Sequence, residues 1–242
     1  MFIGYYSIAN CVTLFGLLSS VTACFLAANG NFKFAVYMLF LACMCDIMDG
    51  TIARKVKNRS LEDRFFGIQL DSICDVVSFG VTPCFMAFSF GFDGFLDVLI
   101  YGFFIVCGAV RLAYFNTMAN QKPGKKLKYF RGVPIPFSTF VITALFLLTT
   151  FIPASVTVWF FRLALLALGF AFILNIKVKK PRGRQAMIIL GAEILLLLLM
   201  LIGDCKQPAD KKAKNEDDDD VDKTEESSEM SDNDDTGLFT SK

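Results

Sequence analysis

The chain has 242 residues, 55% of them hydrophobic, with 27 Phe and no His. Its formal net charge of +1 conceals two unlike parts: residues 1–203 carry 18 Lys and Arg against 9 Asp and Glu, whereas residues 204–242 carry 6 against 14. This excludes an ordinary soluble globular domain and, without histidine, leaves acid–base chemistry to carboxylates, lysines or tyrosines.

In chain order, apolar runs predict helices over about 8–29, 32–54, 66–91, 95–118, 134–152, 155–176 and 185–203. A bilayer span takes about 20 apolar residues, so the expectation is an all-α, polytopic transmembrane helix bundle of about six to eight spans. The N-terminal MFIGYYSIANCVTLFG lacks a basic n-region and a small-residue cleavage site, and reads as the lead into the first span. The connections at 54–64, 119–132 and 177–184 each carry five or more Lys and Arg, whereas the alternate turns contain only Lys33. Alternating spans put these three loops on one side, expected to be cytoplasmic. Seven spans would send the C-terminal tail across, against the lysines 206, 211, 212 and 214 at its start. The expected domains are a membrane catalytic body, 1–203, and a disordered acidic tail, 204–242, whose NEDDDDVDKTEESSEMSDNDD is too polar to bury a core. The eight cysteines form no C-x-x-C pair and lie mostly in apolar runs, as small buried side chains do.

Against this apolar background, residues 46–54 read DIMDGTIAR and residues 67–75 read GIQLDSICD. Asp46 and Asp49 are three apart, and Asp71 and Asp75 four apart, so each pair shares one helix face. Two antiparallel spans joined by a short loop can bring those faces together. Four converging carboxylates repel unless a cation lies among them, and an all-oxygen donor set favours Mg²⁺ or Mn²⁺. Such a cluster has capacity for two divalent ions, the arrangement that clamps a phosphoryl group. Gly50 lets a bulky group approach the backbone, Arg54 suits phosphate oxygens, and Ala53 and Gly67 permit close helix packing. Charge inside a membrane is costly and is as a rule functional.

The pattern D-x-x-D-G-x-x-A-R followed by G-x-x-x-D-x-x-x-D resembles the signature of the CDP-alcohol phosphatidyltransferase family. Here it comprises Asp46, Asp49, Gly50, Ala53, Arg54, Gly67, Asp71 and Asp75. Twelve residues, KVKNRSLEDRFF, separate Arg54 from Gly67, where the family usually has about eight. The extra four are either a longer loop or one added helical turn. SFGVTP (78–83), RLAYFN (111–116) and GVPIPFS (132–138) resemble segments of the bacterial and archaeal serine-using members, and IANCVTLFG resembles the family's P-N-x-x-T segment with Ala9 in place of proline.

The resemblance implies the CDP-alcohol phosphotransferase fold, assembly as a homodimer in the lipid bilayer, and transfer of the phosphatidyl group of CDP-diacylglycerol to the hydroxyl of L-serine, with no nucleic-acid partner. It implies Asp46, Asp49 and Asp71 as ligands of Mg²⁺ or Mn²⁺, and Asp75 as general base with a possible share in metal binding. Gly50, Ala53, Arg54 and Gly67, with Asn10 and Thr13, would line the CDP site. Arg111, in an otherwise apolar span, and Arg131, in a basic loop, are candidates for the serine carboxylate or a phosphate. Two other readings stand beside it: a sibling enzyme using glycerol 3-phosphate, inositol or an archaetidyl donor, and a divalent-cation transporter. A fixed arginine beside the site would repel a transporter's cargo.

Overall fold

The computed structural model describes residues 4–56, 60–121, 129–131, 134–175, 177–179 and 184–202. The expected acidic tail, 204–242, lies outside them. The elements in chain order are α1 (Ile8–Ala28), α2 (Phe32–Lys55), α3 (Leu61–Asp75), a π-helical turn (Val76–Val81), α4 (Thr82–Phe90), α5 (Phe95–Gln121), β1 (Tyr129–Arg131), α6 (Phe137–Phe151), α7 (Ala154–Ile173), β2 (Lys177–Lys179) and α8 (Arg184–Ile202). Five helical stretches are long and apolar enough to cross a bilayer: Ile8–Ala28, Phe32–Lys55, the continuous Leu61–Phe90, Phe95–Met118 and Ser155–Ile173. The chain is an integral membrane protein built as a helix bundle. Large apolar side chains such as Leu18, Phe25, Val106 and Leu163 are exposed on its outer surface, where lipid replaces water as solvent.

The helix ends follow local chemistry. Ser7 caps α1 by accepting the Asn10 N–H, and Ser60 caps α3 by accepting the Asp63 N–H at 3.1 Å. Gly91, at φ 116°, ends α4 in the left-handed conformation that glycine adopts without strain. α6 is shorter than its apolar run suggests. Pro134 and Pro136 delay its start to Phe137, and Pro153 follows its end, leaving 15 residues. That gives about 22 Å of helix, short of the roughly 30 Å hydrocarbon core. The all-α expectation holds apart from two three-residue strands: β1 and β2 pair antiparallel, with Arg131 opposite Lys177. This pairing joins two of the three basic connections.

The core is layered by side-chain size. At the end where α2 begins and α4 ends, Phe32, Phe90, Phe92, Phe146 and Phe161 pack with ring centroids 4.9–5.9 Å apart, several edge to face. Toward the other end small residues take over. A Cβ added to Gly16 of α1 would come within 3.0 Å of Cys45 Cβ and 3.4 Å of the Ala42 carbonyl on α2. Close approach of this kind brings the two backbones together where the aspartates lie.

Candidate active site

α2 and α3 run antiparallel beside α1 and deliver their carboxylates to one place. One oxygen from each of Asp46, Asp49 and Asp71 lies within 4.8 Å of the others. Asp75, one turn further along α3, is buried, and it lines a chamber of about 10 Å³ with the other three aspartates, Thr13 and Ser78. The Thr13 hydroxyl, 3.1 Å from the Ala9 carbonyl, also reaches Asp49 Oδ2 as a donor. Among the described residues none of the four aspartates has a cationic partner within salt-bridge distance. Carboxylates this close repel strongly in a medium of low dielectric constant. The donor set is therefore the chemistry a hard divalent cation requires, and the residues fit one.

The cluster opens into a cavity of about 560 Å³ whose lining includes Asn10, Thr13, Asp49, Gly50, Ala53, Arg54, Gly67 and Asp71. All six positions expected at a CDP site are thus brought to one cavity. Arg54 folds back over Gly50: a Cβ there would lie 3.4 Å from Arg54 Nη1, while Nη2 donates to Thr51 Oγ1 at 3.0 Å. Asn10 is fixed by its Nδ2 donating to the Tyr5 carbonyl at 2.7 Å.

The three further segments singled out in the sequence brace the aspartate helix. Pro83 has no N–H, so the carbonyl of Phe79, four residues earlier, loses its helical donor. The Ser138 hydroxyl supplies the bond at 3.0 Å. SFGVTP and GVPIPFS are joined through that contact, and leaving the carbonyl bare would cost about 1–3 kcal/mol. From RLAYFN, Asn116 Nδ2 donates to Ser72 Oγ at 2.8 Å, between Asp71 and Asp75. Ser78 donates to Ser20 on α1 at 2.9 Å. The π-helical turn begins directly after Asp75, and such turns are frequent at functional sites.

One expected residue, Arg111, stands apart from the main cavity. Arg111 is buried, with Nε unpartnered among the described residues, and lines a second cavity of about 240 Å³ with Tyr114, Phe172 and Asn175. It remains within electrostatic range of Asp75. The Arg131 side chain lies outside the described residues. α3 starts at Leu61, six residues before Gly67, so its first turn lies within the twelve-residue spacer. That turn carries Arg64 into the lining of the main cavity, a placement not anticipated from the sequence. Arg162 and Glu193, the other charges within apolar helices, both have partners in the bundle. Arg162 pairs with Asp97 and stacks 4.7 Å over Trp159, while Glu193 accepts from Thr143 at 2.8 Å.

A CDP-alcohol phosphatidyltransferase family profile matches residues 6–174, and the chain belongs to this family. It is 39% identical over 140 residues to a CDP-diacylglycerol–serine O-phosphatidyltransferase of Saccharomyces cerevisiae, covering 56% of this chain and 46% of that protein. It is 28% identical over 144 residues to an archaetidylserine synthase of Methanothermobacter thermautotrophicus, covering 59% of each. A Bacillus subtilis CDP-diacylglycerol–serine O-phosphatidyltransferase is 32% identical over 160 residues, 64% of this chain and 78% of that protein. The chain thus spans about half the length of the first two relatives.

Proposed function

We propose that the chain transfers the phosphatidyl group of CDP-diacylglycerol to the hydroxyl of L-serine, giving phosphatidylserine and CMP. The observation that carries this reading is the three-carboxylate cluster, of which Asp49 and Asp71 line a cavity that also contains Arg54 and Gly50, in a protein with membrane-spanning helices. The names of the yeast and Bacillus relatives support serine as acceptor.

In this reading Asp46, Asp49 and Asp71, with Asp75 adjoining, hold two Mg²⁺ or Mn²⁺ ions. When bound, the ions neutralise the carboxylates and stabilise the charge on the transferring phosphoryl group. Arg54 holds diphosphate oxygens, and Gly50, Ala53, Gly67, Asn10 and Thr13 shape the space around the nucleotide. Asp75 takes the proton from the serine hydroxyl as the oxygen–phosphorus bond forms. The bond to the CMP phosphate oxygen breaks on the opposite side. Arg111 binds the serine carboxylate from the second cavity, and Arg131 assists from the basic loop. The site faces the cytoplasm with the three basic loops, the enzyme works as a homodimer, and residues 204–242 lie outside the catalytic body.

The test is an acceptor panel with purified protein, CDP-diacylglycerol and Mn²⁺ or Mg²⁺, following CMP and the lipid product. Serine-dependent CMP release is expected. Release with glycerol 3-phosphate or inositol alone would replace the acceptor, faster turnover of a CDP-archaeol donor would replace the lipid, and no release with any pair would contradict the proposal.

A further inference from the structure

Asp71 lies seven positions after Arg64, and positions 64, 67, 68 and 71 of α3 all line the main cavity as one helical stripe. At 1.5 Å per residue, Arg64 stands about 10 Å from Asp71 along the helix axis, toward the cavity's outer end. Helical side chains lean toward the N-terminus, which carries its guanidinium further outward. Arg54 instead folds over Gly50, the residue after Asp49. The two arginines therefore line the cavity from different helices, Arg64 further along α3 from its aspartates.

The turn that holds Arg64 lies between Arg54 and Gly67, and it is fastened from outside. Tyr5 OH donates to Glu62 at 2.7 Å, the Tyr5 ring packs on Phe66 with centroids 5.7 Å apart, and the Tyr5 carbonyl accepts from Asn10 in the cavity wall. Ser60 caps the same turn. Among the described residues Arg64 has no carboxylate partner within salt-bridge distance.

Resting on the phosphatidyl-transfer reading, we propose that Arg64 binds the nucleoside end of the CDP group, laying its guanidinium against the cytosine while the diphosphate lies over the aspartates. A planar, weakly hydrated guanidinium suits stacking on a flat ring, and a nucleoside extends outward once its diphosphate is anchored at the floor. The first turn of α3 thus supplies a specificity contact that the motif arginine does not.

The test measures binding of CMP, CDP and inorganic pyrophosphate to the full chain in detergent with Mn²⁺, for wild type and Arg64→Ala. The expected result is a loss of about tenfold for both CMP and CDP with pyrophosphate unchanged. Equal loss for pyrophosphate would make Arg64 a general phosphate cation, and no loss for any ligand would make it a solvated helix charge; either overturns the proposal. Unchanged thermal unfolding of the variant verifies its fold. If wild type itself binds no cytidine nucleotide, the phosphatidyl-transfer reading fails together with this one. If wild type binds CDP and Arg64→Ala binds it equally, only the Arg64 assignment fails.

Discussion

At one end of the bundle Asp97 is held by Arg162 through contacts of 2.7 and 2.8 Å, accepts the Gly94 N–H, and sits near five interlocked phenylalanines. At the other end Asp46, Asp49 and Asp71 crowd within 4.8 Å of one another around a chamber too small for more than about one water molecule. Both groups lie in helices built for lipid, yet one carboxylate is fully answered by the protein, and the others have no cationic partner within salt-bridge distance among the described residues. A satisfied buried charge is structural, whereas an unanswered cluster stores repulsion that a bound cation relieves. On the proposed reading, the difference separates residues that hold the fold from residues that hold metal.

Variants at the two ends should diverge accordingly. The largest effect is expected from Asp71→Asn or Asp49→Asn, or from chelation. Turnover should fall about a thousandfold in each case, while each Asn variant, compared with wild type in EDTA, is equally stable or more stable because repulsion is removed. A variant less stable than wild type in EDTA would mean the carboxylates are paired. Asp75→Asn should lower kcat by about a hundredfold or more, with Mn²⁺ and CDP binding changed only slightly. Equal loss of all three would remove the general-base role. Arg162→Ala reverses the pattern: it strands Asp97 and should cost about 3 kcal/mol of stability, read by denaturation in detergent, with activity per folded molecule retained. The smallest effect is at Arg111→Ala, where the serine KM should rise about tenfold and that for CDP-diacylglycerol should change less. The opposite split would assign Arg111 to the nucleotide.

Much of this contrast is legible in the sequence, and the part that is not has a physical reason. Asp46 and Asp49, and Asp71 and Asp75, announce themselves by helical spacing in an apolar background, and α1, α2, α5 and α7 end within a few residues of the apolar runs. The early start of α3 is hidden because LEDRFF is charged, and hydropathy alone reads it as loop; its Ser60-x-x-Asp63 cap was the available signal. Pairings such as Arg162 with Asp97, 65 residues apart, or Tyr5 with Glu62, 57 apart, depend on tertiary packing and leave no local pattern. The same holds for Ser138 answering Phe79: the proline that frees the carbonyl is visible, but its remote donor is not. Arg111 was recognised as an unusual charge, but its opening into a second cavity depends on where α7 ends.

The central claim is that the aspartate cluster is a metal site, and it is tested most directly by Mn²⁺ titration followed by electron paramagnetic resonance. Wild-type protein in detergent with CDP should bind two Mn²⁺ ions per chain, Asp71→Asn should lose saturable binding, and Arg162→Ala should keep it. Saturable binding that survives in Asp71→Asn, or its absence from folded wild type, would contradict the account.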